Sequence, residues 1–403
     1  MPGAIVVGGG IAGCLTAVAL RRLGWDVEVA EARPADADEL GSFLTLQSNG
    51  LAAMRALGVL DVVLPLGFPT PVMDLWSASG RRLGSMPLGP PLDDGSPART
   101  VRRGDLYRVL REAAVTAGAR VTTGRRCTGV VETGARVVVT FADGSTAAAD
   151  LVVGADGVRS AVRPAVSGRN PGARYLPLLN LGGFSAGVAP DLAAPPGRMQ
   201  MMFGRRAFFG WATAPDGATW WFANVPRRVE PAPGELAAVP SAVWRAELAA
   251  LLADDSGPAA RIVAATPGDL GAWATYDLPR VPVWRGRRTV LVGDAVHAAS
   301  PSSGQGAAMA AEDALALARC LRDVPDEALA VYEGLRRRRV ERVVAAGRRT
   351  SSSKAAGPLG RAVRDAVMPH VLRRIGPDGG LGWVFAHRND WEEPVAADAV
   401  PRR

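Results

Sequence analysis

Ala4-Ile5-Val6-Val7-Gly8-Gly9-Gly10-Ile11-Ala12-Gly13 joins a short apolar run to a glycine-rich turn. The spacing is G-x-G-x-x-G on Gly8, Gly10 and Gly13, between a predicted strand and a predicted helix. Gly8 permits the tight turn, Gly10 lets backbone approach a pyrophosphate, and Gly13 lets the helix pack close to the strand. Ile11 and Ala12 open the helix, whose free N–H groups and partial positive charge suit phosphate. The helix stops at Gly24. A second strand, 26–30, ends in Glu31, where a carboxylate can accept hydrogen bonds from the two hydroxyls of an adenosine ribose. Strand, turn, helix, strand and acid occur in order, which specifies a dinucleotide site better than the glycines alone.

With 403 residues, the chain can form two or three domain-sized cores. No apolar run approaches the ~20 residues of a membrane span, and the N-terminal apolar stretch belongs to the nucleotide motif rather than to a signal peptide. The expectation is a cytoplasmic protein. The three cysteines, Cys14, Cys127 and Cys320, have no C-x-x-C spacing, and there are only three histidines, so neither a disulfide framework nor a metal site is expected. Net charge is +8, with lysine occurring once, at Lys354, among 47 basic residues. The arginines are dispersed, which argues against nucleic acid. The dense run Arg336-Arg337-Arg338-Arg339 lies on a predicted helix and reads as a solvated face.

Along the chain, β-α-β and a helix over 48–57 are followed by a Gly/Pro-rich excursion at 73–98. A helix from Gly104, several strands, and the buried strand Leu151-Val152-Val153 come next. Residues 173–282 read as a mostly antiparallel sheet with one or two covering helices. Another buried strand, 289–292, leads to helices over 306–321 and 327–349, then a basic C-terminal helix over 354–375 with a break near Gly357-Pro358, and a tail. The fold class is α/β: a Rossmann-like nucleotide domain (1–72, 99–172, 283–353) interleaved with a substrate domain (73–98, 173–282), then 354–403 as C-terminal helix and tail.

Two further segments resemble ligand-binding strand ends. One is Asp150-Leu151-Val152-Val153-Gly154-Ala155-Asp156-Gly157, running on to Arg163. The other is Gly293-Asp294-Ala295-Val296-His297, running through Pro301 and Gly304-Gln305-Gly306 to Glu312-Asp313-Ala314. With all three segments in this order, residues 1–350 resemble the single-component flavoprotein monooxygenases, the family of para-hydroxybenzoate and salicylate hydroxylases.

The resemblance implies tightly but non-covalently bound FAD. Glu31 would hold the adenosine ribose, Asp294 the ribityl chain, and Gly304, Gln305 and Gly306 would flank the isoalloxazine. Arg103 would touch the FAD backbone, Asp156 would serve both FAD and a transient NAD(P)H, and Pro301 would shape the pocket loop. Gly306-Ala307-Ala308 departs from members that carry Asn here and matches those with small residues. The implied reaction passes through a flavin C4a-hydroperoxide to hydroxylation or epoxidation, with O₂ as co-substrate.

The aromatic-rich block at 199–222 is the candidate pocket wall. Met201, Phe203, Phe209, Trp211 and Trp221 suit a hydrophobic aromatic or indolic substrate of specialised metabolism, and they would serve equally as sheet core. No essential acid or base stands out; His297 is the weak candidate. An oxidase or reductase of the same fold and a non-catalytic flavin-binding protein are the alternatives. A halogenase fits poorly, because Trp220-Trp221-Phe222 lacks its tryptophan spacing and the one lysine is far downstream. A monomer or homodimer is expected.

Overall fold

The computed structural model describes residues 1–34, 42–185, 191, 193–278, 280–299, 304–354, 357–374, 380 and 382–396, with backbone alone for 348–354. A five-stranded parallel sheet forms the centre. Its strands run in the order Thr289–Leu291, Leu151–Gly154, Gly3–Val7, Asp26–Ala30, Arg120–Thr122. All four residues of Leu151–Gly154 are buried, as expected for a strand covered on both faces. Chain order reverses beside Gly3–Val7, so Gly8 and Asp156 both leave the sheet at its switch point, where open α/β sheets bind ligands.

Glycine is required at two places in the first turn. Gly8 has φ +106°, and a Cβ there would lie 2.4 Å from the carbonyl oxygen of Ala155. A Cβ on Gly13 would lie 1.8 Å from the oxygen of Gly8. Helix Ile11–Arg22 therefore packs directly on the strand and is buried from Ala12 to Leu20. Helix Gly306–Asp323, buried from Ala308 to Cys320, packs beside it.

The second layer is a seven-stranded sheet, in the order Gly271–Asp277, Arg174–Ser185, Thr219–Pro226, Phe208–Thr213, Arg198–Phe203, Val72–Ser77, Arg82–Pro87. Pairing is antiparallel except between Arg198–Phe203 and Val72–Ser77. The 73–98 excursion thus supplies two strands to the sheet formed by 173–282. Period-two alternation gives it two different faces. One packs under helices Ser241–Leu252 and Ala259–Ala264, and the other turns toward the nucleotide layer.

Two expectations change here. The run 336–339 is not a solvated face: only Arg338 is exposed, and Arg336 is buried between two carboxylates. The break expected near Gly357-Pro358 is present: helix Pro358–Arg374 starts there and packs on strand Arg82–Pro87. The tail segment 382–396 packs on the body: Trp391 is buried, with Arg22 Cζ 3.8 Å from its ring centroid. All three cysteines are buried and none is in a disulfide, and burial pushes the Cys127 thiol up to about 11 and that of Cys320 up to about 12.

Candidate active site

A cavity of about 1610 Å³ runs from the switch point, between the two sheets, to helix Pro358–Arg374. That exceeds the roughly 300–1,000 Å³ of a single drug-sized ligand site.

At its nucleotide end the wall includes Gly8, Gly10, Ile11, Ala12 and Glu31. Nothing lies within 4 Å of where a Cβ on Gly10 would stand. Gly10 is also the N-cap of helix Ile11–Arg22 and makes no side-chain cap bond, so the helix end presents backbone donors to the cavity. Glu31 accepts the Gly9 N–H at 2.6 Å on Oε2 and the Arg33 N–H at 2.8 Å on Oε1, which braces the glycine turn. Gly13 lies off the wall and acts through packing.

Asp156 Oδ2 accepts the N–H groups of Ala161 (2.6 Å) and Val162 (3.2 Å). Its Oδ1 is buried without a hydrogen-bond partner among the described residues. Burial pushes this carboxyl above the usual range, outweighing those hydrogen bonds. A buried lone acceptor on a cavity wall fits a ligand that brings a hydroxyl or N–H. Ser160 and Arg163 fix this turn. Ser160 Oγ accepts the Arg163 N–H, and the Arg163 guanidinium donates to the carbonyls of Val158, Pro171 and Ala295.

Asp294 follows Gly293, whose φ is +59°. The turn is held by Asp313 Oδ2, which accepts the Gly293 N–H at 2.8 Å. Asp294 lines the cavity beside Gly304, Gln305 and Gly306. Gln305 Oε1 accepts from Asn49 Nδ2 at 2.9 Å, and the same Nδ2 reaches Glu312 Oε1 at 2.8 Å. Arg103 also lines the cavity and donates to Tyr107 Oη at 2.6 Å. Tyr107 first, then Asp294, favour its charged form. Pro301 falls outside the described residues.

His297 is no candidate base. It is off this wall and almost fully buried, with Nε2 2.5 Å from Asp313 Oδ2. Residues of the segment serve the two ends of the turn differently: Asp294 faces the cavity and His297 anchors the turn to the core.

The pocket expectation divides by strand parity. Met201 and Phe203 line the cavity. Phe209, Trp211 and Trp221 do not; they face the other side of the sheet, against Trp244, Leu248 and Ile262. Phe209 and Trp221 stack there at 5.4 Å. The residues missed are Phe208 and Phe222, which share the cavity face, together with Met73, Met86 and Phe43. The alternation of 201/203 against 200/202 was visible, but the face that met the cavity depended on which side the two helices covered. Among the described residues no group of His, Cys, Asp and Glu is placed to hold a metal ion, and no helix is long and apolar enough to cross a membrane.

Residues 3–347 match a family model described as an FAD binding domain. The chain is 33% identical to the aurachin C monooxygenase/isomerase of Stigmatella aurantiaca, over 85% of this chain and 86% of that one. It is 32% identical to the 3-amino-4-hydroxybenzoate 2-monooxygenase of Streptomyces cremeus, over 98% of each. Among solved structures, Klebsiella pneumoniae HpxO complexed with FAD and uric acid superposes with a TM-score of 0.80 at 29% identity, covering 92% of this chain and 93% of that one.

Proposed function

The chain belongs to the FAD-binding-domain family of single-component flavoprotein monooxygenases, and we propose that it uses NAD(P)H and O₂ to hydroxylate or epoxidise a hydrophobic aromatic or heteroaromatic small molecule. The observation that carries this reading is one continuous cavity lined at one end by the glycine turn, Glu31, Asp156 and Asp294 and at the other by apolar side chains.

Bound FAD supplies the redox chemistry: two electrons from NAD(P)H reduce O₂, so that one oxygen atom enters the substrate and the other leaves as water. The protein binds and orients. Gly10 and the start of helix Ile11–Arg22 would receive the pyrophosphate, and Glu31 would accept from the adenosine ribose. Asp294 and the open oxygen of Asp156 accept from polyol hydroxyls or ring N–H groups. The start of helix Gly306–Asp323, which has no side-chain cap, would offer N–H groups to the electron-rich edge of a flavin bound in the cavity and so favour extra electron density there. A substrate seated at the apolar end would exclude water there, which keeps oxygen transfer ahead of peroxide release. Only one dinucleotide fingerprint is present, so NAD(P)H is expected to dock transiently.

The test is oxidation of NADPH and NADH by the FAD-loaded protein against a panel of phenols, indoles and quinolones, with peroxide measured alongside. Stimulated oxidation with little peroxide supports the reading. Stoichiometric peroxide with every compound supports an oxidase or reductase instead.

A further inference from the structure

The apolar end of the cavity is longer than a single ring needs. Phe43, next to the strand that leads into Arg103, meets Phe222 at 5.8 Å between ring centroids. Phe222 meets Phe208 at 6.0 Å, and Phe208 meets Phe203 at 5.2 Å. This line of rings ends under helix Pro358–Arg374, where Arg364 Cζ lies 4.4 Å from the Phe203 centroid.

The helix offers Val363, Val367 and Val371 to the same cavity, four residues apart and so on one face. They are 55%, 50% and 43% exposed, an apolar stripe along the cavity mouth that a ligand reaching this far would cover. Met73, Met86, Met201 and Met368 fill in around the rings; unbranched thioethers adapt to irregular apolar shapes. Of the lining residues that the seven-stranded sheet and this helix contribute, Arg364 alone is charged, and it donates to Asp365 at 2.8 Å. The neutral hydrogen-bonding side chains among them are Trp273, Asn180 and Asn224, and Asn224 Nδ2 donates to Asn180 Oδ1.

We propose that the substrate is an uncharged ring system carrying an extended alkyl or prenyl chain. The ring lies at Phe43, Asn180 and Asn224, and the chain follows Phe222, Phe208 and Phe203 to the valine stripe. This rests on the monooxygenase reading of the cavity and narrows its substrate class. A carboxylate here would be desolvated beside a guanidinium that already has a partner, which is costly. Each buried methylene tightens binding by about fourfold.

The experiment titrates FAD-loaded protein with 4-hydroxybenzoate and its methyl, butyl and octyl esters. Kd is read from the flavin absorbance change, and NAD(P)H oxidation is followed in parallel. Affinity is expected to rise two- to fourfold per methylene, with the free acid at least a hundredfold weaker than the butyl ester. In V363W and V367W, half-exposed positions where a larger ring crowds no core, the gain is expected to stop before octyl. A Kd independent of chain length, a free acid that binds as tightly as the esters, or a gradient unchanged in both variants would each overturn the proposal. A gradient without stimulated oxidation would support this substrate class and count against the monooxygenase reading. Stimulation with a flat gradient would do the reverse.

Discussion

Arg336 and Glu312 form an ion pair inside the protein, Nη1 to Oε2 at 2.6 Å, with 3% and 1% of their side chains exposed. Arg336 Nε also donates to Asp313 at 2.7 Å, and Asp313 holds the turn that presents Asp294. Without Arg336, Glu312 keeps Arg339, Nη2 to Oε1 at 2.8 Å, and Asp313 keeps His297, but the buried carboxylates share one cation fewer, which costs about 3 kcal/mol, the low end for breaking a buried pair. R336A is therefore expected to lose that much stability in urea melts. R336K should recover little, because an ammonium cannot span both carboxylates in a planar fork. A loss under about 1 kcal/mol would show that water reaches the pair.

Acid should weaken the same region in two stages. Burial pushes the His387 imidazole from its ordinary 6.5 down to about 4. The unfolded chain then takes up that proton first, so stability falls as pH drops from about 6.5 to about 4. Burial pushes Glu312 and Asp313 upward, but Arg336 on the first and His297 with Arg336 on the second outweigh it, leaving both below the carboxylate range. Their contribution is intact above the unfolded carboxylate pKa and is lost as pH falls below about 4. Urea midpoints at pH 7.5, 5.5 and 4.5 should decline in that order. H387N should remove the upper part of the decline. Equal midpoints at 7.5 and 5.5 in the parent protein would contradict the burial of His387.

The glycines of the first turn should separate folding from cofactor binding. G8A and G13A put a Cβ into backbone atoms and should fail to fold or melt far below the parent. G10A meets no protein atom, so its melting should stay close to the parent. Its methyl group projects where a pyrophosphate would approach, and FAD affinity should drop tenfold or more in a fluorescence titration. Parent-like FAD binding by G10A would remove Gly10 from the phosphate site.

Opposite faces of one strand should give opposite phenotypes. Trp221 is fully buried under the covering helices, and W221A should cost about 3–5 kcal/mol in stability. Its neighbour Phe222 lines the cavity and is only partly buried, so F222A should cost less stability and should raise the peroxide formed per NAD(P)H consumed. A folded F222A with parent-like coupling would place the substrate elsewhere.

The nucleotide layer was readable because its signals are local. A turn that needs Gly8 and Gly13, and acids at strand ends such as Asp156 and Asp294, are fixed within a few residues. The pocket was readable only in part, because the face of a strand becomes inner or outer through tertiary packing. Trp211 and Trp221 are as suitable for a pocket as Phe208 and Phe222 until helices Ser241–Leu252 and Ala259–Ala264 are placed. The arginine run misled for a related reason. Four consecutive arginines span a full helical turn, so one of them must point inward, and the acids that receive it, Glu312 and Asp313, lie on another helix. The helix Pro358–Arg374 carries no pocket signature of its own, and its role follows from where it lands.

The central claim is oxygen transfer, and the direct measurement is mass spectrometry of product formed under ¹⁸O₂ by the FAD-loaded protein with NAD(P)H and the most stimulating compound of the panel. The account predicts one ¹⁸O atom per product, with about one NAD(P)H consumed for each. Unlabelled product, or NAD(P)H consumption matched entirely by peroxide, would contradict it.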